Sequence, residues 1–157
     1  MPQPLRIREL STEEHEKIQS AMAAFCYMIE ELGIDPDAEE LDTPDLAEIL
    51  VANWRRQPKG DRYSPETLAT ILGAATGDFL RHYFDVDWRV VSDEEGTSVC
   101  LYSAKAGGAN DLVVAIFDSI RKRLETTDED FVVEFLEELA EDMQPLAHKK
   151  RGAQNDR

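Results

Sequence analysis

Cysteine is scarce and scattered: Cys26 and Cys100 are the only two in 157 residues. This excludes a disulfide framework and a clustered-cysteine zinc site. Both thiols are expected to be buried and free, in a reducing compartment. Long apolar runs are also missing, and none approaches the roughly 18 residues of a membrane span. The opening MPQPLRIREL holds no apolar stretch of the signal-peptide kind, so a cytoplasmic location without membrane contact is expected. His15, His82 and His148 are the only histidines, none at ligand spacing from another. There is no nucleophile elbow, phosphate-binding glycine loop or twelve-residue calcium loop. No catalytic, cofactor-binding or metal-binding residue is therefore expected. Cys100 and His82 would make the one conceivable cysteine–histidine pair. However, a cysteine between Val99 and Leu101 reads as core, where burial keeps a thiol inert.

Basic charge is the other shortage. Seventeen lysines and arginines face 33 acids, for a net charge of −16. The last ten residues, HKKRGAQNDR, hold four of the bases and one acid, which leaves −19 on residues 1–147. Nucleic-acid binders are usually basic, so a nucleic-acid partner is not expected. A basic protein partner is, because opposite fields steer association.

What the chain does have is helical periodicity. One domain is expected over residues 11–146, between a flexible lead-in at 1–10, where Pro2 and Pro4 block a helix, and a disordered basic tail at 147–157. The first helix opens on a Ser11/Glu14 capping box and stops at Gly33. Its stripe is Ile18, Met22, Phe25, Ile29 and Leu32, and Tyr27 lies opposite, exposed. The second helix takes Thr43 as cap and Pro44 in its first turn, with Trp54 on its buried face. The third, from Ser64 and Pro65 to about Phe84, is apolar on most of its circumference, with Leu68, Leu72, Ala75 and Phe79 sharing one face. That is the signature of a buried central helix. Gly73 and Gly77 inside it each cost about 1 kcal/mol against Ala. They read as a groove admitting a neighbouring element, because a phosphate-binding glycine would sit at the helix N-terminus.

The period then changes. DWRVVSD and TSVCLYS read as strands of a hairpin closed by EEG, with Gly96 supplying positive φ. DLVVAIF is read as a strand to about Ala115 running into the helix FDSIRKRLE, although Leu112, Val113, Ile116 and Ile120 also fit a helix. A last helix begins at a Thr127/Asp130 capping box, with an apolar face through Phe135 and Leu139 and an acidic face of Glu134, Glu137, Glu138 and Glu141. The expected class is α+β: three N-terminal helices, a three-stranded antiparallel meander and two C-terminal helices.

LGAATGDFL, then DWRVVSDEEGTSVCLY, then KRLE resembles the bacterial domain-of-unknown-function 3806 family. The residues that carry the resemblance are Leu72, Gly73, Gly77, Trp88, Asp93, Gly96, Lys122 and Arg123, and it covers about residues 64–125. It implies no activity.

Two functions are weighed. The first is a non-enzymatic acidic binding protein, such as a toxin-neutralising immunity protein that masks a basic partner. Its expected contacts are the acidic hairpin loop Asp93, Glu94 and Glu95 with Tyr27 and Tyr102 as aromatic anchors. The alternative is a secretion-chaperone-like adaptor, which would be a homodimer holding an effector segment on an apolar sheet face. No cofactor is expected for either.

Overall fold

Local capping sets where the first two long helices start. In a computed structural model, which describes residues 5–35, 37, 41–104 and 111–147, α1 (Thr12–Glu31) begins at the reciprocal Ser11/Glu14 box that the sequence spells out. Helix α2 (Thr43–Arg56) is capped one residue earlier than expected. Asp42, not Thr43, accepts from the Asp45 amide, and Asp45 reciprocates. Helix α3 (Pro65–Tyr83) starts at Ser64 as expected.

The expected lead-in is partly a strand. Arg6–Arg8 forms β1 at the edge of a sheet that has four strands, not three. The others are β2 (Asp87–Asp93), β3 (Gly96–Ser103) and β4 (Leu112–Val114), antiparallel throughout in the order β1-β2-β3-β4. Three residues with only Ile7 apolar carry no strand signal of their own. Pairing Ile7 with Val91 makes the strand, and Arg8 ties it to the first turn of α1 through two bonds to the Glu14 carboxylate at 2.9 and 3.1 Å. The Arg8 guanidinium, with the Ser11 amide, holds the Glu14 carboxyl down at about 2.

The hairpin turn is tighter than expected. Asp93 pairs with Gly96, so only Glu94 and Glu95 form the loop. Neither has positive φ; Gly96 does, at +149°. Beyond β4 the chain turns at once into α4 (Ile116–Thr126), so the strand-then-helix reading of residues 111–117 holds.

Helix α5 (Val132–Asp142) corrects another expectation. The Thr127/Asp130 box does not form: Thr127 ends α4, and its hydroxyl accepts from the Glu129 amide. The N-terminus of α5 is instead clamped from α2, 83 to 85 residues away. Glu48 accepts from the Phe131 and Val132 amides through Oε1 at 3.0 Å and from Val133 through Oε2 at 3.1 Å. A carboxylate suits this place, since the first amides of a helix lack partners and carry partial positive charge.

The helices share one core with one face of the sheet, and α3 packs against α1, α2 and α4. Trp88, Val90, Leu101 and Val114 point into the core they share. Of the two cysteines, Cys100 is buried as expected but Cys26 is exposed, one position past the α1 stripe. Leu32, expected in that stripe, is exposed at the α1 C-cap. The sequence AKAGGAN, residues 104–110, reads as a plain loop; its residues 105–110, like residues 148–157 of the expected tail, lie outside the described residues. Ala147 itself bridges to Phe84.

Candidate functional site

The glycines of α3 are explained by two aromatic rings. A Cβ on Gly77 would fall 2.6 Å from Trp88 Cζ2, and one on Gly73 2.8 Å from Phe117 Cε1. The two rings stack on each other, centroids 5.4 Å apart. The groove anticipated from the sequence therefore receives β2 and α4 together. The other resemblance residues are also engaged in architecture. Asp93 Oδ1 accepts from the Glu95 and Gly96 amides and so builds the turn. Lys122 pairs with Asp118 at 3.2 Å, and Arg123 lies over the Phe135 ring at 4.2 Å while donating to the Ser119 carbonyl. Arg121 bonds Asp118 and Glu125, and with Lys122 it pulls the Asp118 carboxyl below its ordinary range.

The five expected contact residues do not all gather. Glu94 and Glu95 are exposed at the tip of the hairpin. Tyr102 pairs with Asp87 at its opposite end, six residues or about 20 Å along the strand. Its hydroxyl donates to Asp111, which raises its pKa. Tyr27 sits on α1 in the helical layer, 62% exposed, with Glu31 beside it raising its pKa. Cys100 has the Ser98 hydroxyl as its neighbour at 3.4 Å, and burial pushes its thiol up. His82 instead meets the edge of Tyr83 at 5.3 Å. Among the described residues no three His, Cys, Asp or Glu side chains gather as a metal would require, and no helix is long and apolar enough to cross a membrane.

A different surface stands out at the end of α3. Phe79 and Tyr83, one turn apart, bring their rings to 5.0 Å. Phe79 was expected in the core, but the helical layer ends before covering it, and it is only half-buried. Tyr83 is 46% exposed. The two rings form a ridge between two clefts. One, of about 400 Å³, opens between α2, α3 and α5 and is walled by Leu136 and Ala140. Among the described residues its lining carboxylates are Asp42, Asp45 and Glu137, and no lysine, arginine or histidine lines it. The other, of about 350 Å³, lies toward α1 and includes Phe25, Asp78 and His82. Burial, then the neighbouring Asp45, raises the pKa of the Asp42 carboxyl. The sequence signal for this ridge was the i, i+4 aromatic pair in FLRHYF. Periodicity puts Phe79 on an apolar face but does not show where a covering layer ends.

No curated protein and no solved structure matches the chain. A family model described as a domain of unknown function (DUF3806) does. The match is wider than the resemblance over 64–125 and takes in most of α2. It runs from Glu48 to Phe131, the two residues joined by the clamp on α5, and since residues 48–131 are more than half of the 157, the chain belongs to that family.

Proposed function

We propose that this is a non-enzymatic acidic binding protein of the cytoplasm that masks a basic protein partner, in the manner of a toxin-neutralising immunity protein. One observation carries the reading: a net charge of −16, with many of the acids exposed on the surface. Glu94 and Glu95 project at the hairpin tip, and Glu134, Glu137, Glu138 and Glu141 along the outer face of α5 are all exposed. Self-repulsion on this scale works against the compact state, and capture of a basic partner offsets it. The hairpin tip contributes long-range steering, which acts on the association rate more than on the final affinity.

The test is association kinetics with the protein captured by the tagged chain, at low and high salt. A basic partner that associates more slowly at high salt, and more slowly with Glu94→Lys/Glu95→Lys at low salt, supports the reading. Equal rates in all four conditions overturn it. The second reading, an adaptor that holds an effector segment on the sheet, draws on the sheet face turned away from the helices. Val91 and Cys100 are buried there without joining the helical core, beside the half-buried Ile7 and Val113. It predicts a homodimer whose binding is insensitive to salt.

A further inference from the structure

We infer that the cleft between α2, α3 and α5, with the Phe79–Tyr83 ridge as its wall, is the docking groove for a partner segment that carries an apolar anchor side chain flanked by lysine or arginine. This rests on the acidic-binding reading and gives it a place.

Three independent features of the groove select that occupant. Its floor and walls are apolar, and its volume of about 400 Å³ admits one or two large side chains. The exposed Tyr83, with the half-buried Phe79 beside it, borders the groove, and aromatic side chains on rigid helices often anchor interfaces. Among the described residues its charge has one sign only. Asp42, Asp45 and Glu137 stand at its rim, and none of the three is in an ion pair among the described residues. Asp42 and Asp45 bond each other's backbone amides, which fixes two carboxylates side by side, with no cation between them among the described residues. Burial and that neighbour raise the pKa of the Asp42 carboxyl, so an incoming cation relieves a cost already present in the free protein. A purely apolar segment would leave those carboxylates desolvated and unpaired, and an acidic one would be repelled. The second cleft, across the ridge, differs: its Asp78 is already paired with Arg81 at 3.1 Å, and His82 lines it.

One competing occupant lies close by. Ala147 is bridged to Phe84, a lining residue of the groove, and His148, Lys149, Lys150 and Arg151 follow it.

The probe is a fluorescein-labelled peptide of alternating Lys-Lys and Leu-Leu pairs, followed by anisotropy, with a Lys/Gly peptide of equal charge and a Glu/Leu peptide as controls. Wild type is expected to bind the Lys/Leu peptide and neither control. Tyr83→Ser weakens that binding about tenfold, the loss of one anchor. Glu137→Lys weakens it severalfold and reduces its salt dependence, while Tyr63→Ser, an equally exposed tyrosine outside the groove, leaves it unchanged. Circular dichroism checks the fold of each variant. Should Tyr63→Ser weaken binding while Tyr83→Ser does not, the groove is the wrong place and the acidic-binding reading survives. Equal binding of the Lys/Gly peptide reduces the interaction to charge alone and also overturns the groove. Absence of binding to the Lys/Leu peptide by the full chain and by residues 1–147 overturns both. Binding by residues 1–147 but not by the full chain identifies the occupant as the chain's own basic segment and overturns a partner segment.

Discussion

Trp88 and Phe117 occupy the space that two missing side chains leave on α3. This makes the cost of adding a methyl group there unusually legible. At Gly77 the nearest atoms belong to an indole that is itself buried, 3% exposed, and stacked on Phe117. It has little freedom to retreat, so Gly77→Ala is expected to destabilise by about 1–3 kcal/mol despite its better helix propensity. Thermal unfolding would show a drop of several degrees. Gly60→Ala is the control: nothing lies within 4 Å of its Cβ position, and the melting temperature should move little. Two carboxylates give opposite pH signatures. The Glu14 carboxyl is held down at about 2 by Arg8 and the Ser11 amide, so its contribution is complete above the ordinary carboxylate range and is lost as pH falls toward 2. Asp42 is raised by burial and by Asp45. Its folded state prefers the proton, so ionised Asp42 costs stability once pH rises above its folded pKa. Asparagine caps a helix as well as aspartate does. Asp42→Asn should therefore raise the melting temperature at pH 7, with the gain disappearing in acid as wild-type Asp42 becomes protonated. Melting curves at the two pH values decide it.

Among the elements, α5 depends most on its surroundings. Its own sequence supplies no cap, and three of its first amides end on Glu48 of α2. Glu48→Ala strips those donors of a charged acceptor, at an expected cost of about 2–3 kcal/mol. Glu48→Gln retains one acceptor oxygen and recovers part of it. Thr127→Ala, at the position the sequence favours as cap, removes only a local bond to the Glu129 amide and is expected to cost well under 1 kcal/mol. Urea unfolding of the three variants tests the order; equal midpoints for Glu48→Ala and Thr127→Ala would return the cap to the local sequence. The capping boxes at Ser11 and Asp42 differ in kind. Both partners lie within three residues, which is why one was read correctly and the other was displaced by a single residue.

For the molecule as a whole, charge dominates. At −16, repulsion among surface acids opposes compaction, while the ion pairs present are short-range and partly exposed. Neutral salt screens the long-range term more than the pairs. Added salt is therefore expected to raise the melting temperature at pH 7 and to lose this effect near the isoelectric point of about 4.5. A melting temperature that falls with salt at pH 7 would show that the ion pairs outweigh the repulsion. The same net charge carries the proposed capture of a basic partner, and the groove beside Phe79 and Tyr83 is where it meets apolar surface.

The α+β class, the five helices, the buried central helix with its glycine groove and the three strands β2 to β4 of the meander were legible in the sequence, which favours the switch from strand to helix near Ala115 but leaves it open. Each rests on periodicity, local caps or turn residues, signals that span fewer than about twenty residues. Tertiary structure decided the rest. Arg6–Arg8 became a strand because β2 offered it an edge, and α5 started at Val132 because a carboxylate 84 residues earlier reached its amides. Asp93, Glu94 and Glu95 stayed together in one turn, while Tyr102 and Tyr27 fell elsewhere, at the other end of the hairpin and on a helix. Phe79 left the core stripe and joined Tyr83 at a groove because the packed layer ends there. A wheel projection tells which side of a helix is apolar, but only the neighbouring elements determine how much of that side they cover.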